Sequence, residues 1–146
     1  MNSKNVSAHL AWSEIACHDA DSTPYPLAWR ASRAVKLAAA FEAIRAEWEE
    51  PILIRSGYRT PQFNASLPGA APASQHTEGR ALDLAPPDGV TVYDFWTRIV
   101  EIAGRIGLGG IGYAPPSQGN YVHVDIRPMP AGQIAQWTYP YTGVPA

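Results

Sequence analysis

Two helical stretches, about residues 27–49 and 92–106, and three short runs of strand character, about 52–54, 109–113 and 121–126, predict an α+β domain whose last two strands pair as a hairpin. In the first stretch Ala34, Leu37, Ala38, Phe41, Ile44 and Trp48 recur at helical spacing, while Arg33, Glu42, Arg45 and Glu49 fall mainly elsewhere on the wheel. The Asp, Ser, Thr and Pro of residues 20–30 supply capping chemistry before it, and Pro51 stops it. Ile52, Leu53 and Ile54 then form an apolar run ending at Ser56-Gly57, which suits a buried strand. Residues 60–74, rich in Pro, Gly, Ala and Asn, predict a loop with one short helical turn starting at Pro61, a plausible wall for a site.

The second helix is the better specified. Val92, Phe95, Ile99, Ile102 and Ile106 line one face, Thr91 and Asp94 are placed for an N-terminal cap, and Gly107 for the stop. Gly109 to Tyr113 and Tyr121 to Ile126 flank a Pro-Pro-Ser-Gln-Gly connection, which reads as two strands and a loop. The Pro-rich end, residues 128–146, is expected to be irregular chain laid over the domain, and there is no internal repeat.

At 146 residues, with 46% apolar and 16% charged residues, the chain suits one domain, 1–146, with a single core, and excludes a disordered, collagenous or coiled-coil protein. Its net charge of −2 and scattered basic residues exclude a dense positive face, so no nucleic-acid partner is expected. No apolar stretch approaches the roughly 20 residues that span a bilayer, so no membrane insertion is expected. Met1 to Ala16 carries Lys4 but no continuous apolar segment and does not read as a secretory signal. A lone cysteine, Cys17, permits no internal disulfide.

Four histidines occur, and two lie in unusual contexts: Ser74-Gln75-His76-Thr77-Glu78-Gly79-Arg80-Ala81-Leu82-Asp83 and Tyr121-Val122-His123-Val124-Asp125. His and Asp are zinc ligands at about 2.0–2.2 Å, so two on one tetrahedral ion approach to about 3.5 Å of each other. Seven residues of helix would separate the Cα atoms of His76 and Asp83 by about 10 Å, and seven of strand by about 23 Å. They share a metal only if the chain folds back, and Gly79 is where a hairpin turn is possible. In the second segment the strand period puts Tyr121, His123 and Asp125 on one face and Val122, Val124 and Ile126 on the core face. Three ligands with one open position is the pattern of a catalytic zinc site; isolated His and Asp residues near Gly are otherwise turn or surface residues, and spacing alone leaves both readings open.

Ser56-Gly57-Tyr58-Arg59-Thr60, Ser74-Gln75-His76 through Asp83, Gly109 to Tyr113 and Val122-His123-Val124-Asp125, in this order and spacing, closely resemble the zinc D-Ala-D-Ala carboxypeptidase-like (LAS) metallopeptidases, in the branch with a His-x-Asp ending. The similarity runs from about residue 9 to Arg127 and includes the entry segment Ser13 to Cys17. The resemblance implies a small antiparallel sheet flanked by two main helices, a Hedgehog/DD-peptidase-like fold. It further implies one zinc held by His76, Asp83 and His123, and hydrolysis of peptidoglycan stem or cross-link peptides. Arg59 corresponds to the arginine that stabilises a substrate carboxylate or developing oxyanion, its alternative being a loop arginine at the surface. Ser74 is expected either to contact substrate or to cap its turn. Several branches carry an acidic residue three positions before the last histidine; here that position is Asn120, which is no base. Asp125 is therefore expected to assist the zinc water, or else to orient His123.

Metal-assisted amide hydrolysis is the leading expectation, with a monomer and, for want of a readable export signal, a phage or prophage endolysin as the expected setting. A second is a non-catalytic zinc-containing module that binds wall peptides or a partner, motivated by Asn120. A third is a cysteine peptidase using Cys17 and His18, disfavoured because adjacent side chains rarely face one another. Trp12, Trp29, Trp48, Trp96 and Trp137 are assigned to packing and none to substrate.

Overall fold

The computed structural model describes residues 4–140; the expectations for residues 1–3 and 141–146 lie outside the described residues. In chain order the elements are β1 (Asn5–Ser7), β2 (Leu10–Ala11), α1 (Val35–Ala46), β3 (Ile54–Ser56), α2 (Pro61–Ser66), β4 (Ala81–Leu84), α3 (Val92–Ile106), β5 (Gly110–Ala114), β6 (Tyr121–Asp125) and β7 (Ala135–Thr138). β1 and β2 pair with each other, and the remaining strands form a sheet in the order β3-β4-β6-β5-β7.

α3 has the predicted bounds because both ends are fixed locally. The Thr91 hydroxyl accepts from the Asp94 amide at 3.1 Å, and Gly107 takes the left-handed conformation, φ 80°, that closes the last turn. Its buried face carries Val92, Phe95, Ile99 and Ile102, each worth about 1.5–3 kcal/mol on burial. The first helix is less regular than its periodicity suggests. A 3₁₀ turn over Leu27–Trp29 and a π turn over Arg30–Ala34 precede α1, with the Arg30 and Arg33 guanidinium groups over the Trp12 and Trp29 rings at 4.3 and 4.2 Å. Leu37, Phe41 and Ile44 share one core with the α3 face and with Leu82, Leu84, Ile111, Val122 and Val124 of the sheet.

Three sequence expectations change. β3 starts at Ile54, not Ile52, and Leu53 is exposed: Ile52 and Ile54 alternate into the core, as an edge strand requires. The sheet is antiparallel only through β3, β4, β6 and β5, since β7 runs parallel to β5. The C-terminal tail is consequently not irregular throughout. β7 covers the open edge of β5, with Ala135 N donating to Gly109 O at 2.9 Å and Tyr139 N to Tyr113 O at 2.9 Å.

With one face of the sheet committed to the helices, strand alternation sends Asp83, Tyr121, His123 and Asp125 to the other. Register then aligns a row across all five strands: Ser56 opposite Asp83, Asp83 opposite His123, His123 opposite Gly112, and Gly112 opposite Trp137.

Candidate metal centre

His76 arrives from outside the sheet, and Gly79 is what returns the chain to it. Residues 74–79 wind through successive turns in which Thr77 N donates to Ser74 O and Gly79 N to His76 O, and Gly79 has φ +67° before β4 begins at Ala81. The fold-back is thus a coiled turn feeding one strand and not a hairpin of two. Tyr25 donates its hydroxyl proton to Gly79 O at 2.6 Å, and a Cβ at Gly79 would lie 2.7 Å from the Trp29 ring. Both the backbone conformation and the space therefore demand glycine. Ser74 is almost fully buried; its Oγ accepts from the His76 amide at 3.1 Å, so it caps this turn while also lining the cavity above.

The two imidazoles approach one carboxylate oxygen from different directions. His76 Nε2 lies 3.1 Å from Asp83 Oδ1, and His123 Nδ1 lies 3.1 Å from the same atom. The rings stand 5.0 Å apart at 74°, and all three residues are buried, with their ligand atoms within 4.8 Å of one another. The remaining ring nitrogens are already committed. His76 Nδ1 faces the Gly57 carbonyl at 2.7 Å, and His123 Nε2 faces Asp125 Oδ2 at 2.7 Å. Each of these partners is an acceptor, so each of these nitrogens carries the proton. In their neutral forms the two rings would turn lone pairs towards an anionic oxygen, whereas without a cation the contacts to Asp83 Oδ1 are held by ring N–H groups. Three converging acceptors need a cation between them, and a tetrahedral zinc, whose ligands sit about 3.4 Å apart, suits this donor set.

The electrostatics prepare Asp83 and His76 for a cation and leave His123 holding a proton that a metal would displace. Burial pushes the Asp83 carboxyl up, but the His76 charge and the hydrogen bonds from His123 and His76 outweigh it, and the group is held far below the usual carboxylate range. Burial lowers His76 below its ordinary value, and Asp83 only partly offsets it. Burial also lowers His123, yet its hydrogen bonds to Asp125 and Asp83 prevail and raise it to about 8.

The expectation that Asp125 activates water meets a geometric objection. Its carboxylate is fully buried, one oxygen accepts from His123, and Arg127 grips both oxygens, Nη2 to Oδ2 at 2.6 Å and Nε to Oδ1 at 2.9 Å. Burial alone would raise its pKa; the Arg127 hydrogen bond, then His123, hold it well below the carboxylate range. The Trp137 indole closes this side, 4.9 Å from the Arg127 guanidinium and 5.2 Å from the His123 ring. Gly110 and Gly112 leave the room for it: a Cβ at Gly110 would lie 2.4 Å from Asp125 Oδ2, and one at Gly112 would lie 2.5 Å from the indole nitrogen of Trp137.

His76 and Asp83 instead open on a cavity of about 430 Å³, which Arg59, Ser74, Tyr121 and Tyr139 also line. Arg59 is positioned by Ser56 Oγ at 3.1 Å, Asn64 Oδ1 at 3.2 Å and Asp83 Oδ2 at 3.3 Å. Asn120 lines a separate hollow with Glu14, Glu50 and Asp88, and Cys17 is buried away from the cavity. Trp48 packs on Phe95 at 5.0 Å, as expected, whereas Trp137 belongs to the centre. Sequence reasoning passed over Arg127, although its spacing from His123 and Asp125 continues the strand period. Tyr121 was placed on the correct face without a role.

A family model described as Peptidase M15 matches residues 8–125 of the chain. A search of curated proteins finds no match. Among the described residues no helix is long and apolar enough to cross a membrane.

Proposed function

Because the chain belongs to the peptidase M15 family, whose members are zinc-dependent metallopeptidases, we propose that it hydrolyses amide bonds in peptidoglycan stem or cross-link peptides, with His76, Asp83 and His123 holding the zinc. The observation that carries this reading is the convergence of three buried acceptor atoms on one point at the floor of an open cavity. Zinc supplies Lewis acidity when bound, polarising a carbonyl and bringing the pKa of water towards about 7.

The chain's own residues do the rest. The Gly57 carbonyl and the Asp125 carboxylate hold the outer ring nitrogens protonated and so aim the inner lone pairs of His76 and His123. Arg59, fixed by its contacts to Ser56, Asn64 and Asp83, presents positive charge to a substrate carboxylate or developing oxyanion. Ser74 keeps the His76 turn in place. Asp125 acts as a positioning residue, because an oxygen already shared between Arg127 and His123 has no approach to a substrate.

Purified protein is expected to contain about one zinc per chain. His76→Ala is expected to lose both metal and wall-degrading activity. Mass analysis of digested peptidoglycan identifies the bond by the new amine and carboxyl ends, and undiminished activity in metal-free protein refutes the reading.

One observation favours a non-catalytic, peptide-binding module: among the described residues no carboxylate but Asp83 lines the cavity. Stem-peptide binding without new chain ends after prolonged incubation would select it.

A further inference from the structure

If Asp125 is sealed and Asp83 faces the cation, the cavity must find its remaining hydrogen-bond chemistry elsewhere. Ser74 Oγ accepts from the His76 amide within its turn, the Arg59 guanidinium is divided among three acceptors, and Gln118 also lines the cavity. Two phenols also stand on the cavity wall, Tyr121 and Tyr139, both half-buried, and Tyr121 is the polar lining residue on the strand that carries His123. Tyr121 lies two residues before His123 on the same face of β6, so its Cα is about 7 Å along the strand from a proposed ligand. Its ring packs against Tyr139 at a centroid distance of 5.7 Å, and the two phenols are hydrogen-bonded to each other. With Tyr139 as the donor of that pair, Tyr121 keeps its own O–H to give.

We propose that the Tyr121 hydroxyl is a catalytic hydrogen-bond donor to the carbonyl oxygen of the scissile amide, with Tyr139 as the positioning residue that orients it. Hydrolysis adds water across the C–N bond, hydroxyl to the carbonyl carbon and hydrogen to the nitrogen. Tyr121 neither gains nor loses a proton in this; it strengthens one hydrogen bond as charge grows on the oxygen. An O–H aimed where charge develops, in a cavity partly screened from water, is the arrangement from which such donors derive their effect. Arg59, which lines the same cavity with its cation anchored by Asp83, is then left to the substrate's carboxylate. Peptides ending in, or branching beside, a free carboxylate are accordingly the class that engages both groups.

The inference rests on the peptidase reading, and the test separates the two. Wild-type protein that hydrolyses no wall peptide overturns both. With active wild type, Tyr121→Phe is expected to lower kcat by about 100-fold, with KM changed only a few-fold and zinc content unchanged. Calorimetry on zinc-loaded protein gives a readout independent of turnover: the variant should lose a similar factor in affinity for a phosphinate dipeptide, which mimics the tetrahedral state, but little for the product peptide. Tyr139→Phe, which keeps the Tyr121 phenol, is expected to cost about 10-fold in kcat, and it decides the matter if Tyr121→Phe does not fold. Wild-type kcat in either variant, equal losses for phosphinate and product, or loss of zinc with the Tyr121 hydroxyl would each overturn the proposal.

Discussion

Asp83 and Asp125 stand on neighbouring strands and touch the same imidazole, yet they belong to different worlds. Asp83 faces His123 Nδ1 and opens on the cavity beside Arg59. Asp125 faces His123 Nε2 and is closed in by Arg127, Trp137 and the side-chain-free surface of Gly110 and Gly112. Both lose proton affinity relative to a free carboxyl, for the same reason that cationic donors outweigh burial. A depressed pKa therefore does not distinguish a ligand from a support; access does.

The largest effect should come from the open side. Asp83→Asn keeps the shape but removes the anion on which both histidines converge, so zinc content and wall-degrading activity should both fall to background. Zinc analysis of the dialysed protein checks it, and a variant that retains stoichiometric metal would dissolve the distinction between the carboxylates.

On the sealed side the damage should appear first in folding. Arg127→Met leaves the buried Asp125 charge without its fork of donors, and breaking one half of a buried pair costs about 3–5 kcal/mol. Urea denaturation of metal-free protein measures this. A loss below about 1 kcal/mol would mean the pair behaves as a surface contact.

Asp125→Asn sharpens the contrast further, because the two roles considered for this residue predict different rescues. A residue that orients a ligand should cost about 10–100-fold in zinc affinity, with activity returning at excess zinc. A general base should cost activity that no zinc concentration restores. The structure favours the first outcome, since both oxygens are spoken for.

The same contrast explains what could be read without coordinates. α3 was legible to its ends because Thr91, Asp94 and Gly107 act within a turn of where they sit. β7 was not, because four residues flanked by prolines become a strand only against the edge of β5, a pairing remote in sequence. The chemistry of His76, Asp83 and His123 was visible as residue types, and Gly79 as the place where the chain could reverse. Their meeting around Asp83 Oδ1 depends on the register of β4 with β6, which spacing alone does not supply. Asp125 looked available because a strand pattern says which face a side chain takes and nothing about what covers that face. Arg127 follows it at the same period, and Trp137 comes from the strand that the sequence concealed.

His123 joins the two sides, and it gives the smallest of these effects. In metal-free protein it bridges two anionic carboxylates and its pKa is raised to about 8, against about 6.5 in the unfolded chain. A raised pKa means the folded state holds the proton more tightly, so this stabilisation is complete below about pH 6.5 and is lost as pH climbs through 8. His76 moves the other way: the unfolded chain still holds part of its proton just above pH 6.5, so its lowered pKa adds an opposing rise of about 0.4 kcal/mol there. Asp83 and Asp125 are ionised in both states over this range, since their depressed values matter only as pH falls below about 4. Metal-free protein should accordingly lose about 1 kcal/mol between pH 6.5 and 8.5, read from urea midpoints. Zinc needs the neutral Nδ1, so its affinity should rise over the same interval and the loaded protein should not share the decline. A metal-free midpoint that stays level from pH 6.5 to 8.5 would show that the imidazole is not held as a cation between the two aspartates, and that the sealed side and the open side are not coupled through it.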